Sequence, residues 1–147
     1  MDTTHIVVSK PLVPSHSQIL EKREKAYYWS NLLSDWLVPG HKVFPGCHPM
    51  SLSKQNIHLL NQERYLISLK SDGLRYVLYL TIRPESSHDV VAVALLIDRA
   101  GNMYEVDVMA PEEYFTQHTI LEGELVWKQP SEDELLFLVF DCIRSKG

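Results

Sequence analysis

Two cations, Lys70 and Arg75, stand on either side of Asp72-Gly73 near the middle of the sequence. Asp-Gly between two apolar runs is typical of a hairpin turn, so this stretch taken alone indicates a turn with polar ends. Two later turns carry charged residues in a similar manner and have the same interpretation. They are Ile97-Asp98-Arg99-Ala100-Gly101-Asn102 and Leu121-Glu122-Gly123-Glu124-Leu125-Val126.

The overall charge limits what these turns can do. The chain has 14 Lys and Arg against 19 Asp and Glu, which gives a net charge of −5. Binding that coats a nucleic acid through charge alone scales with the number of phosphates neutralised, so an acidic chain is not expected to bind in this way. Contacts with phosphate are therefore expected to be local, made by a few cations around one group.

Several familiar sites are absent from the sequence. It contains no Gly-x-x-x-x-Gly-Lys-Ser/Thr phosphate loop, no Gly-x-Gly-x-x-Gly, no Gly-x-Ser-x-Gly and no His-Glu-x-x-His. Cys47-His48 with His41 gives weak support for a zinc site, and a loop cysteine beside a surface histidine is the favoured interpretation.

The elements that would position the turns follow an α+β pattern. We predict an amino-terminal arm over residues 1–18 and one domain over residues 19–147, because prolines and small polar residues dominate the first segment. A helix is predicted over residues 19–37, and a short helix follows Ser51. Predicted strands cover residues 65–69, 75–83, 90–98, 103–109, 119–127 and 135–143. Short turns between them predict an antiparallel sheet after the helices.

Five segments of the sequence carry a family resemblance. In chain order they are Phe44-Pro45-Gly46 with Pro49-Met50-Ser51 and Lys54-Gln55-Asn56-Ile57, then Lys70-Ser71-Asp72-Gly73-Leu74-Arg75, Ile97-Asp98-Arg99, Glu122-Gly123-Glu124-Leu125-Val126 and Phe137-Leu138-Val139-Phe140-Asp141. In this order they resemble the motifs of covalent nucleotidyltransferases, the superfamily of mRNA guanylyltransferases and polynucleotide ligases. The second segment resembles the Lys-x-Asp-Gly-x-Arg signature, and the first resembles a segment of mRNA capping enzymes. One such segment is a weak signal, whereas five in register are specific.

The resemblance implies an activity and a set of site residues. It implies mRNA guanylyltransferase activity, in which Lys70 attacks the α-phosphate of GTP, holds GMP covalently and passes it to the 5'-diphosphate end of RNA. Arg75 and Arg99 would contact ribose and phosphate, Glu124 would accept a hydrogen bond from a ribose hydroxyl, and Phe140 would lie against the guanine. A divalent metal, Mg²⁺ or Mn²⁺, is implied as cofactor. Since an attacking amine must be unprotonated, nearby cations or desolvation would have to lower the pKa of Lys70.

Two departures from the family pattern leave alternatives open. Glu122 stands where the family more often has aspartate, and the extra methylene could displace whatever that carboxylate orients. After Asp141 the sequence lacks a Glu-Gly motif, later lysine motifs and an OB-fold lid, so we expect a partial nucleotidyltransferase domain. The alternatives are a piece of a longer capping enzyme, a chain completed by another chain, or a non-catalytic module that binds a nucleotide or cap or docks an RNA polymerase or capping subunit. An adenylating ligase fragment is the weaker alternative.

The sequence gives limited information on compartment. No apolar run approaches the length of a membrane span, and the amino terminus lacks the features of a secretory signal. Two cysteines suit a reducing environment. We therefore expect an intracellular protein without a membrane partner. The resemblance to capping enzymes implies the nucleus or a viral cytoplasmic factory, and the sequence does not distinguish the two.

Overall fold

The chain folds around a closed antiparallel barrel, as seen in a computed structural model that describes residues 5–9, 20–36, 46, 49–62, 64–65, 67, 70–127 and 135–145. Its strands are β1 (His5–Ser9), β2 (Leu74–Pro84), β3 (Val90–Ile97), β4 (Met103–Val108), β5 (Ile120–Trp127) and β6 (Leu135–Arg144). Neighbouring strands follow the order β1-β4-β3-β2-β5-β6, and each adjacent pair is antiparallel. The helices are α1 (Lys22–Trp36), a 3₁₀ helix (Ile57–Asn61) and α2 (Glu112–Thr116). The predicted α+β class with an antiparallel sheet is confirmed.

Alternating side chains of the strands form two apolar layers. Along β2, Tyr76 and Leu78 pack in a cluster that draws on β2 to β6 and fills the barrel. Val77 and Tyr79 point to the opposite face, where they pack with Tyr28 of α1. Because α1 covers this outer face, β2 and β3 are buried on both sides, which explains their nearly continuous apolar sequences.

The amino-terminal segment differs from its prediction. His5–Ser9 lies within the stretch expected to be an arm, yet it forms β1 and pairs with both β4 and β6. This strand closes the barrel. Its apolar run is only three residues long, Ile6-Val7-Val8, which is too short to show a period ahead of the prolines.

The predicted hairpin across Asp72-Gly73 is wrong. Tyr65 and Ile67 are outside any strand, and residues 66, 68 and 69 lie outside the described residues. β2 pairs instead with β3 and β5, and its first residue, Leu74, is opposite Leu125. A strand over residues 65–69 would have to pair with β2, but both edges of β2 are already paired, one with β3 and the other with β5, which is distant in sequence.

The helical predictions are partly confirmed. α1 lies within the predicted residues 19–37, and the short helix after Ser51 is present as the 3₁₀ helix. α2 was not predicted, because a five-residue helix between two strands carries too few turns to show a helical period. Among the helices described, none combines the length and apolar character required to cross a lipid bilayer.

Candidate functional site

A cavity of about 820 Å³ lies where β2, β5, β6 and the β3–β4 turn meet. It has the volume of a small-molecule site. Its lining comprises Pro49, Lys70, Gly73, Leu74, Arg75, Tyr76, Asp98, Arg99, Ala100, Glu122, Glu124, Phe140 and Asp141. The structure therefore brings all five sequence-predicted site residues, Lys70, Arg75, Arg99, Glu124 and Phe140, to one cavity. Their roles stay predictions.

Lys70 lines the cavity and is in contact with Asp72. Its Nζ donates a hydrogen bond to Asp72 Oδ1 at 2.6 Å, and its side chain is 84% exposed. The hydrogen bond and the charge of Asp72 raise the pKa of Lys70, with a smaller contribution from Glu124, and Lys70 in turn lowers the pKa of Asp72. The contact with Asp72 therefore stabilises the protonated form of the amine.

We expect Asp72→Asn to lower the pKa of Lys70. Neutralising Asp72 removes the main cause of the upward shift, so the amine loses its proton at a lower pH than in the wild type. Competitive labelling of the amine with acetic anhydride across a pH series measures this pKa. Asp89→Asn, at an exposed aspartate in the β2–β3 turn, is the control and should leave Lys70 unchanged. An unchanged or higher Lys70 pKa in Asp72→Asn would contradict the expectation.

The segment that carries Lys70 is anchored to β5 through Glu124. Glu124 Oε2 accepts a hydrogen bond from Ser71 Oγ and a second, at 3.3 Å, from the backbone N–H of Gly73. Gly73 lies so close to β5 that an added Cβ would be 2.6 Å from the carbonyl oxygen of Leu125. Glycine at this position thus permits the close approach that places Lys70 beside the cavity.

Arg75 is held from behind by Glu122. Its Nε donates to Glu122 Oε1 at 2.5 Å, and its Nη2 forms an ion pair with the same oxygen. The Glu122 side chain is fully buried, and that of Arg75 is 16% exposed. On its other side, the guanidinium carbon of Arg75 lies 6.0 Å from the centroid of the Phe140 ring, within the range of a cation–π contact.

A β-bulge directs Phe140 toward the cavity. Glu122 pairs with Asp141 and Gly123 pairs with Val139, so Phe140 is the extra residue of β6 at this point. Phe140 and the next residue, Asp141, consequently both line the cavity instead of alternating between the two faces. The Phe140 side chain is 53% exposed, so it does not belong to the barrel core as strand periodicity alone would indicate.

The β3–β4 turn places Arg99 at the cavity through its neighbour Asp98. Asp98 accepts hydrogen bonds from the backbone N–H of Asn102 at 2.8 Å, from the Asn102 side chain at 2.9 Å and from Tyr104 Oη at 3.0 Å. Burial, followed by the hydrogen bond to Asp98, raises the pKa of Tyr104. Gly101 adopts a φ of +75°, which completes the turn.

Sequence reasoning missed several residues of this site. The resemblance assigns no role to Ser71, Asp98 or Asp141, and it does not give the partner of Glu122. Proximity of Ser71 and Asp98 to the predicted cations was the only signal available, because the pairing of β2 with β5 cannot be derived from local spacing. The weak zinc candidate, Cys47-His48 with His41, lies outside the described residues.

The cavity offers oxygen ligands but no complete metal cage. Within the part of the chain that the structure describes, no group of three or more His, Cys, Asp or Glu side chains is arranged to hold a metal ion. Mg²⁺ at nucleotide sites is usually bound by one or two carboxylates together with substrate phosphates and water. The exposed carboxylate of Asp141 fits that mode, since it lines the cavity beside Phe140.

Comparisons with known proteins agree with the arrangement of motifs. A family profile described as "mRNA capping enzyme, catalytic domain" matches residues 11–147. The chain is 30% identical over 138 residues to the mRNA-capping enzyme subunit alpha of Schizosaccharomyces pombe, covering 88% of this chain and 34% of that protein. It is 34% identical over 111 residues to the Neurospora crassa subunit alpha, covering 68% of this chain and 27% of that protein.

A further relative matches over a shorter region. The mRNA-capping enzyme of Caenorhabditis elegans is 42% identical over 64 residues, which are 44% of this chain and 9% of that protein. This chain thus spans about a third or less of the length of these relatives. With the profile match over nearly its whole length and the motif residues gathered at one cavity, the chain belongs to the mRNA capping enzyme catalytic-domain family.

Proposed function

We propose that this chain carries the nucleotide site of an mRNA guanylyltransferase. The observation that carries the proposal is the common cavity of Lys70, Arg75, Arg99, Glu124 and Phe140, which offers a nucleophilic amine, two cations, a hydrogen-bond acceptor and an aromatic surface. Family membership adds mRNA capping as the general process. The volume of about 820 Å³ is sufficient for a nucleotide.

In the proposed reaction, Lys70 Nζ attacks the α-phosphorus of GTP. The amine first loses a proton to solvent, then forms the N–P bond as the bond from the α-phosphorus to the bridging oxygen breaks and pyrophosphate leaves. In the second step a terminal oxygen of a 5'-diphosphate RNA attacks the same phosphorus. The N–P bond breaks, GMP is joined to the RNA, and Lys70 returns to its free form.

The remaining residues bind and orient the nucleotide in this proposal. Arg75 and Arg99 stabilise the negative charge of the phosphates and contact the ribose, because the guanidinium group matches phosphate oxygens well. Phe140 stacks on the guanine, and Glu124 accepts a hydrogen bond from a ribose hydroxyl. A bound Mg²⁺ or Mn²⁺ would supply further positive charge at the phosphates, held by the nucleotide and the carboxylate of Asp141.

The experiment is a comparison of GTP and ATP, each labelled on the α-phosphate. The protein is incubated with Mg²⁺ and either nucleotide, denatured, and assayed for retained label. We expect label from GTP and little from ATP, since the segment from Phe44 to Ile57 resembles capping enzymes and not ligases. Stronger labelling by ATP would favour an adenylating ligase instead. Absence of label from both nucleotides would contradict the transfer activity of this chain.

A second function, nucleotide or cap binding without transfer, is favoured by the state of Lys70. Its side chain is 84% exposed, and the contact with Asp72 raises the pKa of the amine, which is opposite to the lowering that attack on phosphorus requires. Calorimetric titration with GTP and with a cap analogue separates the two functions. Binding of either ligand without covalent label supports the second function, whereas binding with label supports the first.

The proposed function also implies partners. They are the 5'-diphosphate RNA and an RNA polymerase or further capping subunit.

A further inference from the structure

We propose that Glu122 is a positioning residue that holds Arg75 in its nucleotide-binding orientation. The inference rests on the proposed function, because it assigns Arg75 to the bound nucleotide. Glu122 lies at the cavity, but its side chain is fully buried and has no surface accessible to a ligand. It therefore acts through Arg75, with which it shares a hydrogen bond and an ion pair.

The burial of this pair makes the contact obligatory. A carboxylate withdrawn from water is strongly destabilised unless a cation and hydrogen bonds compensate for the lost solvation. Arg75 provides both through Nε and Nη2, which converge on one oxygen of Glu122. The guanidinium is accordingly fixed at two of its nitrogen atoms, and a freely rotating exposed arginine would lack this restraint.

The strand register explains why this task falls to Glu122 and not to Glu124. Arg75 is directly opposite Glu124, while Glu122 is opposite Val77, two residues further along β2. Glu124 nevertheless binds Ser71 and the backbone of Gly73. The two carboxylates of the Glu-Gly-Glu segment thus have different partners. Glu124 anchors the segment that carries Lys70, and Glu122 contacts Arg75 diagonally across the strand pair.

The orientation of Arg75 also bears on the aromatic surface. Glu122 is paired in register with Asp141, immediately after the bulge residue Phe140, and the Arg75 guanidinium faces the Phe140 ring at 6.0 Å. One buried carboxylate therefore fixes the cation that contacts the proposed stacking ring. Aspartate at this position would be one methylene shorter, so Arg75 would have to move toward β5 to keep the ion pair, and its position relative to the Phe140 ring would change.

A double-mutant cycle on GTP affinity tests the inference. The full chain is compared with Glu122→Gln, Arg75→Met and the double variant, using calorimetric GTP titration and thermal unfolding. We expect each single substitution to weaken GTP binding about tenfold, as the loss of a charged hydrogen bond would. The double variant should bind no more than about twofold more weakly than Arg75→Met alone, because Arg75 transmits the effect of Glu122 to the nucleotide.

Stability separates positioning from a merely structural role. The double variant replaces both charges, so its unfolding temperature should recover relative to Arg75→Met while its GTP affinity does not. Glu122→Asp keeps the charge and should still bind GTP several-fold more weakly. Glu105→Gln is the matched control, since Glu105 also faces an arginine, Arg83, at 3.7 Å but lies away from the cavity. It should leave GTP affinity unchanged.

The outcomes distinguish this inference from the proposed function. If the wild type binds GTP and Glu122→Gln binds it with the same affinity, the inference is overturned but the proposed function is not. The inference is also overturned if Glu122→Gln weakens GTP binding by the same factor in the wild type and in Arg75→Met. Failure of the wild type to bind GTP would overturn the proposed function and this inference with it. If Arg75→Met does not fold, Arg75→Lys takes its place in the cycle, because it keeps the charge and loses the planar fork.

Discussion

Replacing Lys70 with arginine is expected to abolish covalent labelling of the protein by GTP. Arginine keeps the positive charge and a similar reach, but its guanidinium does not lose a proton in proteins and so cannot form the N–P bond. The fold should be unaffected, because the Lys70 side chain is 84% exposed and its hydrogen bond and ion pair are with Asp72, which is itself exposed. GTP affinity should remain within about threefold, since an exposed charge is retained.

The control for this prediction is Lys54→Arg. Lys54 is also exposed but does not line the cavity, so its substitution should leave labelling at the wild-type level. Phosphorimaging of the denatured protein and calorimetric GTP titration measure the two quantities. Label that persists in Lys70→Arg would show that another residue is the nucleophile, and it would remove the basis for the proposed reaction.

Gly123→Ala is expected to destabilise the fold by about 2 to 3 kcal/mol. A Cβ at this position would be 2.5 Å from the carbonyl oxygen of Leu138 and 2.7 Å from the ring of Phe137. Phe137 is completely buried in the barrel core, and Leu138 presents backbone, so neither can move aside cheaply. β5 and β6 would have to separate just where the bulge presents Phe140, so GTP binding should weaken as well.

A second glycine provides the comparison. At Gly101 an added Cβ meets only a Trp29 ring atom at 3.4 Å, but its φ of +75° is unfavourable for alanine. Gly101→Ala should therefore cost about 1 kcal/mol from the backbone alone. Urea unfolding of both variants measures the difference. Equal destabilisation of the two proteins would contradict the close approach of β5 and β6.

The regular elements of this fold are predictable from local pattern. α1 follows from a helical spacing of apolar residues, and β2 to β6 follow from β-branched and aromatic runs bounded by breakers such as Pro84 and Gly101. β1 could not be predicted in this way, because three apolar residues are too few to show a strand pattern and the strand is defined by its pairing with β4 and β6. The Asp72-Gly73 turn was misassigned for the same reason: its local sequence suits a hairpin, but β5 is the neighbour of β2.

The site shows a similar division between motif and geometry. The motif residues Lys70, Arg75, Arg99, Glu124 and Phe140 could be named from the resemblance to the family's motifs, and the structure brings them to one cavity. The ion pair between Arg75 and Glu122 depends on strand register, and the presentation of Phe140 depends on a bulge. Neither register nor bulge is encoded in the spacing of residues along one segment, which is why Glu122 appeared only as a departure from the family pattern.

The most direct measurement of the central claim is peptide mapping of the protein after incubation with GTP and Mg²⁺. Proteolysis under alkaline conditions, where a phosphoramide bond is preserved, followed by tandem mass spectrometry identifies the modified residue. The account predicts a mass increase of one GMP unit on the peptide that contains Lys70, with fragment ions that place it on the lysine side chain. GMP on a different residue, or an unmodified Lys70 peptide in protein that retains label, would contradict the account.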